Sequence, residues 1–519
     1  MQISPIRFSG LASGLDTENI VKELMNAHRI PLNRLMQQRQ LLEWQKEAYR
    51  EVNRLMVNFR KAVEPLRFQG TFLAKKANVS DTTLANVTAS NNAVEGTYTL
   101  KVEKLAKGAS VTSNVKLEVS LNDTLTSVPG KITINGEDIT LSSTTTVAQF
   151  VADVNAKASK TGVRVSFDTT TQRFFFITTQ TGSEAVIDFT GSDEQILNSL
   201  GIAPNTRRQG NNAIIYFQDV RLESKTNTIN INGLTIQLLK EPEQENTTIN
   251  TTITVSRDTD AIYNTIKTFI DEYNKLVDEV NKKLQEPRYR DYPPLTKEQK
   301  EQMKEKEIEL WEEKAKSGMI RNDSLVSGFM AQLRLIAYST VEPVDSSKWS
   351  NGVTNSDLKH LAALGIETGS YVDENGKLVY GERGKLYIKD EAKLRQAISE
   401  NPDDVMMLFT ARPKDGNGND VGGTEYLGLG HRLYNQVNLA INQLSEKAGS
   451  VNSLMLVDNS TLGERIKDID ERIARMQDRL VMIEQRYWSQ FTAMERALAR
   501  MNMQSAWLAQ TFGGGGQQS

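Results

Sequence analysis

From Leu462 the apolar residues Leu462, Ile466, Ile469, Ile473, Met476, Leu480, Ile483 and Tyr487 recur four and three positions apart. That is the heptad rhythm of a helix that buries one narrow seam. Phe491, Met494, Leu498 and Met501 resume it after one extra four-residue step, the mark of a stutter. A helix from about 461 to 509 would span ~70 Å at 1.5 Å per residue, longer than any one domain core of such a chain. Its seam therefore calls for a second long helix, and behind it "GGGGQQS" has nothing to bury.

A candidate partner lies at the other end. Leu35, Gln38, Leu42, Gln45, Tyr49, Val52, Met56, Phe59 and Val63 alternate three and four apart, with the two glutamines weakening the seam. One terminal helix against the other, and the pair against neighbouring subunits, is the simplest way to bury both stripes.

Between about 76 and 258 the period falls to two. "EGTYTLKVEKL" puts Tyr98, Leu100 and Val102 on one face, and "KITINGEDITL" and "NTININGLTIQLL" each carry an Asn-Gly pair suited to a tight hairpin. The stretch 146–158 reads as a helix followed by two strands, so 119–205 is expected to be a small domain inserted in another. From Asp258 a helical stripe returns through Ile262, Ile266, Phe269, Tyr273, Leu276, Val280 and Leu284. Thr296 and Gln299 stand as a capping box, and Asp390 and Asn401 as helix caps, with Pro402 in the first turn behind Asn401. The fold class is α+β and multidomain: long N- and C-terminal helices pairing as a coiled-coil-like leg, a helical domain, and two nested β-rich domains.

The chemistry that such a chain could carry is narrow. With Lys plus Arg 62 against Asp plus Glu 65, the net charge of -3 gives no reason to bind nucleic acid or an anionic membrane. No apolar run reaches the ~18–20 residues of a membrane helix, and no secretory signal is expected at the N-terminus. His28, His360 and His431 are far apart and there are no cysteines, so no metal site is expected. Asp415, Asn417 and Asn419 begin like a calcium loop, but Asp420 replaces the required glycine and Tyr426 the final acid. No nucleophile elbow or phosphate loop is present. These readings point to a scaffold without cofactor rather than an enzyme.

The opening residues are specific. Gly10, Leu11, Ala12, Ser13, Gly14, Leu15, Asp16 and Thr17, followed by Ile20, Val21, Leu24, Met25, Pro31, Leu32 and Trp44, resemble the N-terminal signature of the flagellar hook-associated protein 2 family, the filament cap proteins. His28 stands where the family commonly has an acid. "ALGIETG", "GKLYIKDEAKLRQAISENPDDVMMLF" and the C-terminal heptads are similar to the family's C-terminal region, and 119–205 to the small repeat module of flagellins and hook-associated proteins.

The resemblance implies a homo-oligomeric ring at the distal tip of the flagellum, reached through the flagellum's own export channel, that helps flagellin fold into the filament. It implies as partners flagellin, the hook–filament junction protein and, before secretion, an export chaperone. The absence of cysteine suits a chain threaded unfolded through a channel. The expected division is a 1–43 axial segment, mobile in the free subunit; a 44–75 leg helix; a β-rich head from 76–118 and 206–258; the 119–205 module; a 259–455 helical-rich domain with a β-hairpin; a 456–512 coiled-coil helix; and a disordered 513–519 tail. Gly10–Asp16 with Ile20 and Leu24 would form the assembly motif, and Ile20, Val21, Leu24 and Met25 would have little on their own chain to cover them. The heptad positions at both ends would form the oligomer interface. The rival readings are a hook–filament junction protein or flagellin, a tip adhesin, and a wall hydrolase.

Overall fold

The computed structural model describes residues 14–244, 246–369, 384–450 and 458–513. They fall into two units, Met1–Gln69 with Tyr263–Ser519, and Gly70–Ile262. Of the expected 513–519 tail, 514–519 lies outside the described residues, and Gly513 ends the C-terminal helix.

The first unit is built on one helix, Thr17–Val63. Asp16 caps it by accepting the N–H of Asn19 at 2.9 Å, and Arg60 and Lys61 in the last turn complement its dipole. Helix-forming residues such as Leu41, Leu42, Glu43 and Gln45 run across the expected boundary between 43 and 44, so the helix does not break there, and it ends at Val63 rather than near 75. Pro65 opens the 3-10 turn Glu64–Arg67 that follows.

Tyr49, Val52, Met56, Phe59 and Val63 are buried. The Phe59 ring lies 6.0 Å from Phe269 and 5.8 Å from Tyr273, both on the helix Thr259–Gln285. Asn53 Nδ2 donates to Ser445 Oγ at 3.0 Å and Arg60 Nη1 to Asn438 Oδ1 at 3.1 Å, which sets the helix Leu429–Ala448 antiparallel to the first. Tyr49 Oη donates to Asp323 at 2.6 Å while the other carboxylate oxygen caps the helix Ser324–Tyr338. Burial and that hydrogen bond push the Tyr49 phenol above its ordinary range. Thr296 and Gln299 form the capping box of Lys297–Glu301. Asp390 caps Glu391–Glu400, but the Asn401 side chain makes no cap bond to Pro402–Thr410.

The second unit holds two nested domains. In the outer one, a five-stranded antiparallel sheet runs in the order Lys75–Val79, Ile249–Arg257, Gly96–Lys104, Ala213–Phe217, Val220–Ser224. A three-stranded sheet, Thr228–Ile231, Leu234–Leu238 and Ala85–Ala89, shares one core with it, where Leu100, Val102, Ile215 and Ile253 meet Val87, Leu234 and Ile236. Both Asn-Gly pairs turn hairpins: Asn135 and Gly136 have φ of 49° and 85°, Asn232 and Gly233 of 50° and 77°. Two successive positive φ values are what a turn matching the strand twist requires.

The inserted module is wider than 119–205. Strand Ser110–Thr112 pairs with Arg173–Thr178, and Arg207–Gln209 pairs with Val186–Asp188; strands of three residues carry too little alternation to be read as such. Its helix Val147–Ala156, boxed by Thr146 and Gln149, places Phe150 edge-on to Phe174 at 5.5 Å, and Phe176 meets Phe189 at 5.1 Å. The chain enters and leaves through a neck, where the N–H of Lys107 donates to Asn211 O and the N–H of Asn211 to Lys107 O, each at 3.0 Å. Gly210 sits in it so closely that a Cβ would lie 2.3 Å from Lys107 O. Phe176→Ala should cost about 3–5 kcal/mol. Hydrogen exchange should then show lost protection within 109–209 while the strands Gly96–Lys104 and Ile249–Arg257 keep theirs.

Candidate assembly interface

The C-terminal helix Thr461–Gly513 lies antiparallel along the first half of the N-terminal helix. His28 Nε2 and Tyr487 Oη share a hydrogen bond of 3.0 Å, and Arg39 Nε donates to Asp470 at 2.5 Å. On both sides of the His28 rung Val21, Met25 and Leu32 are buried against Ile473 and Leu480, with Leu35, Ile469, Met476, Ile483, Tyr487 and Phe491 packed around them. Each fully buried aliphatic side chain contributes about 1.5–3 kcal/mol, so the five buried residues outweigh the ~3 kcal/mol cost of Pro31 inside the helix. The exposed Arg39–Asp470 pair, with side chains 38% and 46% accessible, contributes no more than about 1 kcal/mol and mainly fixes register.

This arrangement corrects the sequence reading in two places. Val21 and Met25 are each only 3% exposed, so the chain's own C-terminal helix covers them; Ile20 is half-buried, and Leu15 and Leu24 stand 47% and 38% exposed. Tyr49, Val52, Met56 and Phe59, read as seam against the C-terminal helix, belong instead to the globular core; Leu35 and Leu42 are half-buried. Ile466 is buried, Met494 and Leu498 are half-buried, and Met501 is exposed. Gly14 is exposed beside the Asp16 cap, while Gly10, Leu11, Ala12 and Ser13 lie outside the described residues.

At its base the arm is fastened by Asp458. Its carboxylate accepts from Lys46 Nζ at 2.8 Å and Arg50 Nη2 at 3.3 Å, both on the N-terminal helix, and from the N–H of Ser460 at 3.0 Å. Arg50 Nε also donates to Ala448 O at 2.9 Å, so one guanidinium holds the end of one helix and the start of the next. Partial burial opposes the charge on Asp458, but Lys46 and Ser460 outweigh it and lower the pKa to about 2. Composition and periodicity gave no sign of this cluster. Ser460 caps the C-terminal helix, accepting the N–H of Gly463 at 3.1 Å.

Beyond the seam the C-terminal helix outlasts its partner. With His28 level with Tyr487, Thr17 falls level with roughly residue 498, and Met501, Met503, Trp507 and Leu508 are 62%, 65%, 64% and 46% exposed. Periodicity flagged only Met501 among these.

The remaining candidates of the sequence have local roles. His360 Nδ1 accepts the N–H of Ala363 at 3.0 Å, and burial with nearby Arg67 and Arg412 lowers the pKa of His431. Asp415 accepts the N–H groups of Asn417 and Asn419, each at 2.9 Å. Among the described residues no group of three His, Asp or Glu could hold a metal ion, and no helix is long and apolar enough to cross a membrane.

An arm made from both ends of the chain, nested β domains between them and an apolar helix end left bare together define a structural subunit of a larger assembly. The family model described as "Flagellar hook-associated protein 2 N-terminus" matches residues 13–109 and that described as "Flagellar hook-associated protein 2 C-terminus" matches 210–503; the inserted module lies between the two. Flagellar hook-associated protein 2 of Halalkalibacterium halodurans is 32% identical over 98% of this chain and 100% of that one. The protein of the same name from Thermotoga maritima is 22% identical over 99% and 97%. The crystal structure of the flagellar cap protein FliD D1-D2-D3 domains from Escherichia coli has a TM-score of 0.49 at 20% identity, covering 82% of this chain and 99% of that one. The chain belongs to the flagellar hook-associated protein 2 family, and its role is that of the flagellar filament cap.

Two variants test the arm. Ile473→Asp places a charge in the seam and should unzip it, with hydrogen exchange losing protection in 17–35 and 461–490 while the helix Thr259–Gln285 stays protected. Asp458→Asn should lower stability at pH 7 by about 2 kcal/mol, because a carboxylate whose folded pKa is depressed stabilises above its unfolded value near 3.9. That advantage is lost as pH falls toward 2, so urea unfolding of variant and wild type should converge between about pH 5 and pH 2.

Proposed function

We propose that this subunit caps the filament at the distal tip of the flagellum as a homo-oligomeric ring, in which arms from several copies shelter arriving flagellin while it folds and inserts. The observation that carries this reading is the solvent-exposed apolar end of the C-terminal helix. Four large apolar side chains exposed within about two turns at the end of the arm are surface of the kind that another chain covers. In the assembly that cover comes from neighbouring arms and the filament; before secretion it comes from an export chaperone. Before the filament grows, the family setting adds the hook–filament junction protein as a neighbour. Sheltering and relocation need only differences in contact energy between states, so no catalysis and no cofactor enter.

The test pairs localisation with substitution. Immunogold directed at residues 76–258 should label only the distal tip of detached flagella; label at the hook junction or along the whole filament would replace the cap reading with a junction or filament-subunit one. Met501→Asp with Met503→Asp should leave circular dichroism and melting unchanged, since both residues are exposed, yet stop filament growth. Normal filaments from that variant would remove the helix end from the mechanism.

A further inference from the structure

Where the arm meets the segment that follows the helix Thr259–Gln285, the helical unit has a cleft of about 570 Å³, within the range of small-ligand and peptide side-chain sites. Aliphatic Leu41, Leu42 and Ile469 line it with Met319, Gln38 and Gln45, and so do three guanidinium groups, Arg288, Arg465 and Arg472. Against them there is one lining carboxylate, Asp468, 2.8 Å from Arg472. Arg288 spends its Nη1 on the carbonyls of Ala315 and Ser317, each at 2.9 Å, and Arg465 makes no ion pair among the described residues. In a chain whose charges nearly cancel, three cations to one anion beside aliphatic side chains is a local departure that asks for a complement.

We propose that this cleft docks an acidic amphipathic segment of a different protein chain, with aliphatic side chains on Leu41, Leu42 and Ile469 and carboxylates at Arg465 and Arg472. Arginine suits that partner because its planar fork takes a carboxylate in two parallel hydrogen bonds while its stem lies on apolar surface. The proposal does not rest on the cap reading: the charge excess and the aliphatic lining are properties of the single chain.

The probe is a labelled, capped helical peptide of about 14 residues, roughly four turns, with leucines at helical spacing and glutamates beside them. A twin carries lysines in place of the glutamates. Fluorescence anisotropy with the full chain, at about 50 mM salt to limit screening, should show binding of the glutamate peptide only. Arg465→Glu should weaken it by about tenfold or more, as expected for reversing a contacting charge, and Leu42→Ala should weaken it too. Arg496→Glu, an exposed cation farther along the same helix, should leave it unchanged, and circular dichroism should show each variant folded. Equal binding of the two peptides, no binding of either, indifference to Arg465→Glu, or an equal loss with Arg496→Glu would each overturn the proposal. So would displacement of the peptide by vesicles rich in phosphatidylserine that themselves bind through Arg465, since the site would then serve a membrane surface.

Discussion

The two ends of this chain have to find each other. His28 and Tyr487 are separated by 459 positions yet share a hydrogen bond, and along the arm the helices on which they sit bury their apolar faces on one another. Every intervening domain is constrained by that meeting, because the chain must leave along one helix and return antiparallel to it. Contacts of such sequence separation form late, since their loop-closure cost precedes any gain. An arm that closes only when its last residues are present leaves the chain open until then.

Along the arm, energy and register come from different residues. The buried aliphatics around Ile473 and Leu480 supply the free energy but tolerate sliding by a heptad. Arg39–Asp470, His28–Tyr487 and above all the Lys46, Arg50 and Asp458 group do not tolerate it, because each polar partner exists at one level only. The last of these sits where the helix Leu429–Ala448 gives way to the C-terminal helix, so that both follow the N-terminal helix in turn instead of diverging from it.

Much of this was legible in the residues. Asn135-Gly136 and Asn232-Gly233 announce their hairpins because few other pairs accept two positive φ values, and Thr296–Gln299 announces a helix start by a reciprocal bond that needs no tertiary partner. The stripe from Ile262 to Val280 is likewise a local pattern. What escaped depends on tertiary partners. Leu35 through Phe59 keep one period, yet the first packs on the C-terminal helix and the last on Phe269 and Tyr273; period alone cannot say which neighbour a face meets. Val21, Met25 and Leu32 continue that stripe toward the N-terminus, but Pro31 interrupts it in the sequence and not in the helix. The Asp458 group joins residues some four hundred positions apart, and its lysine and arginine look like any other surface cations.

The neck at Lys107 and Asn211 has a consequence for how such chains diversify. To the outer domain the module is a loop of roughly 100 residues, whose closure as a flexible chain would cost about 4 kcal/mol or more. Because the module folds around its own phenylalanines and delivers its ends at hydrogen-bond distance, that entropy is already lost before the outer sheet closes. A short turn from Lys107 to Asn211 would meet the same boundary condition. Beyond the neck the module meets the outer domain at Lys225, whose carbonyl accepts from Thr181 Oγ1 and whose ammonium pairs with Glu184, so a lineage can enlarge, exchange or delete the module with few changes to the outer sandwich.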